Sequence, residues 1–529
     1  MNTEPKIKSN SSYLQLNLAL LLAFWTISTF EIVSKMANGI KIPNFAEVLS
    51  FKLLNDLWTS LIIFCVCYPL FFIFSLLSKK WANLFIKCIF CLVVLAQFAL
   101  TKYHLTTLVY LGADILGYSF SDMFTTVTAS ESLSIFYFIP FVLFPVLFFF
   151  IHKKISIITI NKTFIVAAVC IIALTLGLKF FNSTFSDTTN QNRLAFFTSD
   201  IIRYQSEKNE FDINNLTYKK EYPLVQPFSS SPDVLAPFFQ INEEKPNIVM
   251  IIVEGLGDEF IGKNDYSGFT PYLDSLIPKS LYWENFVSNA GRTFGALPSI
   301  LGSLPYGEKG FLELNPLPAN ISLVSILKVN DYSTSFYCGD DSSFDRKINF
   351  LEYNGIDNVI DINKFGSGYE KTKANSGGFS WGYPDSEIFR KTLSELDGKK
   401  TPRLDIIMTL TNHEPFDFPQ KKEYLKKVDS ILNTNKNLKV AKEEVNTYKD
   451  IFASLLYTDN SIKTFINSYS KRPEVKNTIF VITGDHRLIP IAQKDKLCRF
   501  HVPLYIYSPL LKRPQTFKSV SSHWDITPS

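Results

Sequence analysis

Asp485 and His486 close the segment Asn477-Thr-Ile-Phe-Val-Ile-Thr-Gly484, an apolar run that ends in Gly-Asp-His. Such a run reads as a buried strand that delivers a carboxylate and an imidazole to its C-terminal edge, where open α/β sheets build their sites. A second run, Asn247-Ile-Val-Met-Ile-Ile-Val253, ends in Glu254-Gly255 in the same way. Brought to one rim, Glu254, Asp485 and His486 would offer two hard oxygens and one imidazole, a donor set that suits Mn²⁺ or Zn²⁺ better than Ca²⁺. Polar caps at two strand ends are the bland alternative. A catalytic metal keeps a position for the reacting group, and Thr293, in Gly291-Arg-Thr-Phe-Gly-Ala-Leu-Pro298, is the candidate to fill it. A threonine hydroxyl is a poor nucleophile at neutral pH unless a metal and a helix N-terminus favour its alkoxide. The competing reading makes Thr293 a helix N-cap.

Of six histidines, four (His413, His486, His501 and His523) lie beyond residue 400, so imidazole chemistry belongs to the C-terminal part of the chain. His413, in Thr409-Leu-Thr-Asn-His-Glu-Pro-Phe416, directly follows a strand-like run and fits a donor to a phosphoryl oxygen or a general acid for a leaving group. His501, in Arg499-Phe-His-Val-Pro503, is a weaker candidate for the same duty. His523 and Asp525, in the closing His-Trp-Asp, read as hydrogen-bonded fasteners of the sheet.

Those residues need a frame that brings distant segments together. Candidate strands are 247–253, 332–337, 404–410, 478–483 and 503–508, and candidate helices are 272–278, 321–329, 385–395 and 448–470. Their alternation predicts a mostly parallel sheet with helices on both faces, one α/β domain over 247–529. The lysine-rich stretch 421–443 reads as one solvated helix. The last residues, His523 to Ser529, look like the start of a helix, so the expectation is a truncated chain whose sheet exposes an apolar patch.

The front of the chain is different in kind. A composition 47% hydrophobic and 15% aromatic is rich for a soluble enzyme, and the excess sits before residue 180. Apolar stretches near 13–33, 58–77, 83–101, 134–151 and 163–180 have the length a bilayer core needs, which predicts five spans over 1–180. Glu31 leaves the end of the first span soft. Lys6, Lys8, Lys79, Lys80, Lys87, Lys153, Lys154 and Lys162 lie on one side, against Lys41, Lys52 and Lys102 on the other. That asymmetry puts the N-terminus inside and everything after residue 180 outside the cytoplasm. Residues 181–246, with Pro223, Pro227, Pro232 and Pro237, read as a juxtamembrane linker with short helices. Cys338 and Cys498 either pair or stay free. A net charge of +4 with no basic stripe gives no case for a nucleic-acid partner.

Taken in order, Glu254, Thr293, Asn412-His413, Tyr457-Thr-Asp459 and Gly484-Asp485-His486 resemble the alkaline-phosphatase/sulfatase superfamily. Membrane spans before such a domain resemble its lipoteichoic acid synthase and phosphoglycerol transferase branch, whose plan the phosphoethanolamine transferases share. The resemblance implies a divalent ion, Mn²⁺ ahead of Zn²⁺ or Mg²⁺, held by Glu254, Thr293, Asp485 and His486. It implies Thr293 as nucleophile and His413 as substrate ligand, with a phospholipid donor, a phosphothreonine intermediate, and a glycan or lipid hydroxyl as acceptor in a cytoplasmic membrane. Lipoteichoic acid synthases carry a His-Gly motif and a Trp/Arg pair that grips glycerol phosphate. This chain departs from them at Phe336-Tyr-Cys-Gly-Asp-Asp-Ser-Ser-Phe-Asp-Arg346, with Cys338 at the histidine's place and no tryptophan after it. Arg346 and Trp381, the latter in Ser380-Trp-Gly-Tyr-Pro-Asp385, are the candidates for that grip. His501 resembles a later histidine of phosphoethanolamine transferases, the alternative reading together with a membrane-anchored phosphodiesterase. A formylglycine sulfatase needs Cys or Ser where Thr293 stands, which argues against that version. A catalytically silent sensor is disfavoured by the intact Glu, Thr, Asp and His.

Overall fold

A peptide chain in a bilayer must satisfy its own backbone, so long apolar runs become helices. The computed structural model describes residues 4–37, 42, 44–107, 110–117, 135–157, 190–210, 233–240, 244–306, 310–313, 320–374 and 380–529. Its contacts divide the chain into two units, residues 1–113 with 133–216 and residues 114–132 with 217–529.

The first unit is helical. Among the described residues, three helices are long and apolar enough to cross a membrane: Ser12–Ala37, Phe45–Leu77 and Lys79–Leu105. Ile135–Ile155 is a further apolar helix, carrying Pro140 and Pro145. The expected fifth span, 163–180, lies outside the described residues. Tyr13, Phe24, Phe71, Phe90, Phe98 and Phe148 form the bundle's core, while Val66, Leu76, Leu77 and Leu92 point outward, as a lipid-facing surface requires.

One feature of this unit escapes a hydropathy reading. Glu31 is buried within the Glu4–Ala37 helix and is no soft boundary. Its Oε1 meets Arg193 Nη2 at 2.6 Å and Lys35 Nζ at 3.0 Å, and its Oε2 meets Lys52 Nζ at 2.8 Å. His104 lies 3.7 Å from the same carboxylate, and Asn192 Nδ2 donates to the buried Asp56 at 2.7 Å. Arg193 opens the helix Arg193–Glu210, an 18-residue element in the stretch expected to be a linker with short helices. Its first residue is spent inside the bundle.

The second unit is the expected α/β domain. Its strands are β1 (Asn247–Val253), β2 (Leu281–Trp283), β3 (Phe286–Val287), β4 (Ser333–Tyr337), β5 (Asn358–Ile360), β6 (Arg403–Met408), β7 (Thr478–Gly484), β8 (Leu504–Tyr507), β9 (Gln515–Phe517) and β10 (Ser521–Ser522). Eight form one sheet in the order β5-β4-β6-β1-β7-β8-β2-β9, and β3 pairs with β10 apart from it. β1 lies between β6 and β7, parallel to both, so it is buried on both faces and reads as an unbroken apolar run. Val249, Ile251 and Val253 meet the helices Asp385–Glu395 and Lys449–Tyr469, while Met250 and Ile252 meet Ala296–Gly302 and Lys347–Tyr353.

The run expected at 503–508 is β8, which departs from the parallel pattern by running antiparallel to β7 and to β2. β2 and β9, three residues each, are too short to show a period. The lysine-rich stretch 421–443 is broken: a helix spans Lys421–Thr434 and a new one starts at Lys442, since Asn435 turns to extended backbone. Cys338 and Cys498 are free thiols.

Candidate active site

The registers Val253↔Gly484 and Ile252↔Met408 end β1, β7 and β6 at one rim. Glu254 and Asp485 follow the two central strands directly, and both are buried. Asp485 Oδ1 accepts from the backbone N–H groups of Gly255 (2.8 Å) and His486 (2.7 Å), which fixes the carboxylate and leaves Oδ2 to face inward. A Cβ at Gly484 would sit 2.1 Å from the Leu256 carbonyl oxygen, so only glycine lets β7 approach this turn so closely. His486 Nδ1 lies 2.8 Å from the Arg487 carbonyl, which can only accept. Nδ1 therefore carries the proton, and Nε2 turns its lone pair toward the carboxylates, 3.5 Å from Asp485 Oδ2 and 3.6 Å from Glu254 Oε1.

Thr293 completes the group. Its Oγ1 lies 3.0 Å from Asp485 Oδ2, 3.3 Å from Glu254 Oε2 and 3.1 Å from His486 Nε2. The capping alternative fails on geometry. Thr293 begins a 3₁₀ turn, and neither that turn nor the Ala296–Gly302 helix after it has a side-chain cap.

Ligand atoms of Glu254, Asp485 and His486 lie within 4.8 Å of one another, and among the described residues no other such group occurs. Glu254, Asp485 and His486 would hold a divalent ion with the Thr293 hydroxyl beside it, and the 3.0–3.6 Å contacts among these donors bring them close enough to share one. Electrostatics agrees with that fit. Burial first, then Asp485 and Asp345, push the Glu254 carboxyl well above its ordinary value, and only Lys347 and the Thr293 hydroxyl work against them. A divalent cation is the group that cancels such a charge. Saturating Mn²⁺, Zn²⁺ or Mg²⁺ should therefore raise the unfolding midpoint of the chelator-treated protein, by about 2.7 kcal/mol of stability at a hundred times Kd. Differential scanning fluorimetry reads this, and a midpoint unmoved by all three ions would refute the metal site.

Support comes from residues the sequence reading left unassigned. Asn412 Nδ2 donates to the Glu254 carbonyl at 3.0 Å, and Thr409 Oγ1 accepts from the Glu254 N–H at 2.9 Å. Thr458 donates to the buried Asp385 at 2.6 Å and to Asn412 at 3.3 Å. Asp459 caps the Pro271–Leu276 helix through the N–H groups of Tyr272 and Leu273. The Tyr-Thr-Asp motif is thus scaffolding.

The remaining candidates divide. His413 packs its ring 4.4 Å from that of Trp381, Trp381 stands 5.0 Å from Phe344, and Trp381 Nε1 donates to the Glu414 carbonyl at 2.7 Å. With Lys373, Ser380 and Asp417, the Trp381–His413 pair lines a cleft. Burial, then the nearby His486, lower the His413 pKa, and its Nδ1 donates to Glu414 O at 3.1 Å. At neutral pH its Nε2 is therefore a proton acceptor.

Arg346 Nη1 donates to the Leu312 carbonyl at 3.3 Å. Asp345 and Arg346 both take left-handed backbone, at φ 55° and 52°. That turn buries Asp345 and Lys347 instead, and Lys347 Nζ pairs with Asp340 Oδ2 at 2.6 Å. Burial opposes the Lys347 charge, but Asp340, Cys338 and Asp345 together outweigh it and raise the pKa. The charged run Asp340-Asp-Ser-Ser-Phe-Asp-Arg-Lys347, directly after β4, was the signal for these residues. His501 Nε2 donates to the Glu284 carbonyl at 2.7 Å and stands 3.6 Å from Asp258.

His523 backs the site from behind, its Nε2 donating to the Gly484 carbonyl at 2.9 Å. Burial pushes its pKa from 6.5 down to about 4. Between those values the unfolded chain binds a proton that the folded chain refuses. The stability His523 confers is thus full above pH 6.5 and falls, by on the order of 3 kcal/mol, as pH drops toward 4. Urea unfolding at pH 7 and pH 4.5 should show a steeper loss for wild type than for His523→Gln, and parallel losses would contradict this.

The family model for sulfatases matches residues 246–529. The lipoteichoic acid synthase-like protein YvgJ of Bacillus subtilis is 22% identical over 305 residues, covering 54% of this chain and 46% of that protein. Lipoteichoic acid synthase 2 of Bacillus subtilis is 24% identical, covering 52% and 43%. Phosphoglycerol transferase I of Escherichia fergusonii is 23% identical, covering 46% and 31%. The chain thus spans less than half the length of these curated relatives. Among solved structures, the integral membrane protein lipooligosaccharide phosphoethanolamine transferase A of Neisseria meningitidis aligns with a TM-score of 0.54 at 13% identity, covering 99% of this chain and 94% of that one. That likeness is one of fold.

Proposed function

This chain belongs to the sulfatase family, and on that premise we propose that it is a metal-dependent membrane transferase moving a phosphoglycerol-type head group from a phospholipid to a glycan or lipid hydroxyl. The observation that carries the reading is the Thr293 hydroxyl, held 3.0–3.3 Å from Asp485, His486 and Glu254. The names of the curated relatives, lipoteichoic acid synthases and phosphoglycerol transferases, support it.

Glu254, Thr293, Asp485 and His486 would hold the ion, with Mn²⁺ the first choice. When bound, such an ion neutralises charge on phosphoryl oxygens and lowers the cost of an alkoxide nucleophile. The chain's residues do the rest. Thr293 Oγ attacks phosphorus and the bond to the diacylglycerol oxygen breaks. The proton Thr293 gives up, toward Asp485 Oδ2, balances the one the departing hydroxyl takes. In the second half an acceptor hydroxyl attacks the phosphothreonine and gives its proton to His413 Nε2, the bond from phosphorus to Thr293 Oγ breaks, and one proton passed back to that oxygen restores both Thr293 and His413. Trp381 walls the cleft beside His413 and screens it from water.

The likeness in fold, over 99% of this chain, to a lipooligosaccharide phosphoethanolamine transferase keeps a second reading, an ethanolamine-phosphate head group, in view. The deciding experiment offers the purified protein phosphatidylglycerol and phosphatidylethanolamine, each head-group labelled, without acceptor. Label from phosphatidylglycerol on Thr293 supports the first reading and label from phosphatidylethanolamine the second. Free labelled head group with no adduct would point to a phosphodiesterase.

The lysine asymmetry along the N-terminal part of the chain supports placing this chemistry outside the cytoplasm. A topology reporter fused after Ser183 should be active on the outer side, and activity confined to the cytoplasm would reverse the orientation.

A further inference from the structure

The segment Arg499–Val502 makes hydrogen bonds to each of the loops that carry Glu254, Thr293 and Asp485-His486. The Phe500 carbonyl accepts from Ser288 N–H at 2.7 Å, and Val502 N–H donates to the Phe286 carbonyl at 3.0 Å, so the segment runs alongside the connection that leads to Thr293. The His501 carbonyl accepts from Asp258 N–H at 3.0 Å, in the loop after Glu254. The Arg499 carbonyl accepts from Arg487 N–H at 3.1 Å, one residue beyond His486. Arg499 itself is buried, and its Nε donates to the Gly291 carbonyl at 2.7 Å, two residues before Thr293. Gly291 has φ +61°, and a Cβ there would sit 2.5 Å from the Phe500 ring, so the nucleophile turn rests directly on this segment.

We propose that Arg499 is a positioning residue, which sets the distance between the Thr293 hydroxyl and the ligand atoms of Glu254, Asp485 and His486. Its backbone is bonded beyond one metal-ligand pair and its side chain is bonded just before the nucleophile, so it spans the two halves of the site. The three ligands stand on β1 and β7 without its help, through the pairing of those strands and the Gly255 and His486 N–H groups on Asp485. Loss of the Arg499–Gly291 bond should therefore free the nucleophile turn and leave the ligands in place. An ångström of misplacement at a reacting group costs about a hundredfold in rate.

The inference rests on the transferase reading, and its test separates the two. Wild type, Thr293→Ala, Arg499→Met and Arg499→Lys are titrated with Co²⁺, whose absorption bands report the ligand set, and are assayed for head-group adduct from donor lipid. Arg499→Met, which keeps the stem and removes the donor, should bind Co²⁺ within about threefold of wild type. Its spectrum should move toward that of Thr293→Ala, and its adduct rate should fall roughly tenfold to a hundredfold. Arg499→Lys, which keeps one donor, should recover part of both. A wild-type spectrum in Arg499→Met overturns the assignment, as does loss of Co²⁺ binding together with the spectral change. If Arg499→Met does not fold, a Lys variant indistinguishable from wild type overturns it equally, and one intermediate in spectrum and rate upholds it. A wild type that binds Co²⁺ and never forms adduct fails the transferase reading alone, and the spectra then decide on Arg499 by themselves.

Discussion

Thr293→Ala should abolish the covalent adduct and lower turnover by several orders of magnitude, while the protein stays folded. Thr293 caps no helix, so its hydroxyl contributes at most the ordinary net value of about 1 kcal/mol per hydrogen bond, well inside a domain's margin of 5–15 kcal/mol. Among the described residues, Thr293 is the hydroxyl placed within 3.3 Å of the Glu254, Asp485 and His486 side chains alike. A covalent route without its nucleophile has no substitute. Thr293→Ser should retain part of the rate, because the oxygen stays among the same three ligands. Intact-mass spectrometry after exposure to donor lipid, with and without acceptor, reads both variants. An alanine variant that turns over donor at a comparable rate would show that the phosphoryl group never rests on Thr293.

The other large effect is expected far from that chemistry. Glu31→Gln should leave Lys52 and Arg193 buried around a neutral amide in place of the carboxylate that meets both. Removing one partner of a buried ion pair costs about 3–5 kcal/mol, because the charge left behind is unsolvated. The variant should extract from membranes at low yield and lose its monodisperse peak in size-exclusion chromatography at temperatures the wild type tolerates. Lys52→Met in addition should restore part of the loss. Wild-type behaviour of the single variant would show that water reaches this cluster.

How far the sequence carried the site depended on whether an apolar run pointed at each residue. Glu254, Asp485 and His486 sat at the ends of β1 and β7, so an unbroken apolar run and a polar stop were enough to put them on one rim. Thr293 had only a glycine-flanked turn, and the choice between nucleophile and cap needed its Oγ1 contacts. His501 and Arg346 stand in connections between strands, where spacing along a chain does not say which way a side chain turns. The left-handed pair Asp345–Arg346 sends Lys347 inward where the sequence suggested Arg346. β2 and β9 were illegible because three residues pairing with distant neighbours carry no pattern of their own. The Glu31 cluster was missed because each of its members looked like an ordinary polar residue at a span's end, and only the fold joined them.

The bond from Gly255 N–H to Asp485 joins residues 230 apart, and β1 pairs with β7 across the same interval. During synthesis the first half of the metal site exists for most of the time the domain is being made, with no second half to meet. Loop closure over such a distance comes late, after local helices have formed. A Glu254 alone binds no ion well, so the growing chain cannot be metallated on the ribosome side of its journey. The ion it acquires is the one available in the compartment where β7 finally slides in beside β1. On the proposed metal site, the ion recovered from cells would depend on where the last strands arrive as well as on the ligands, and folding in another compartment should change which metal is found.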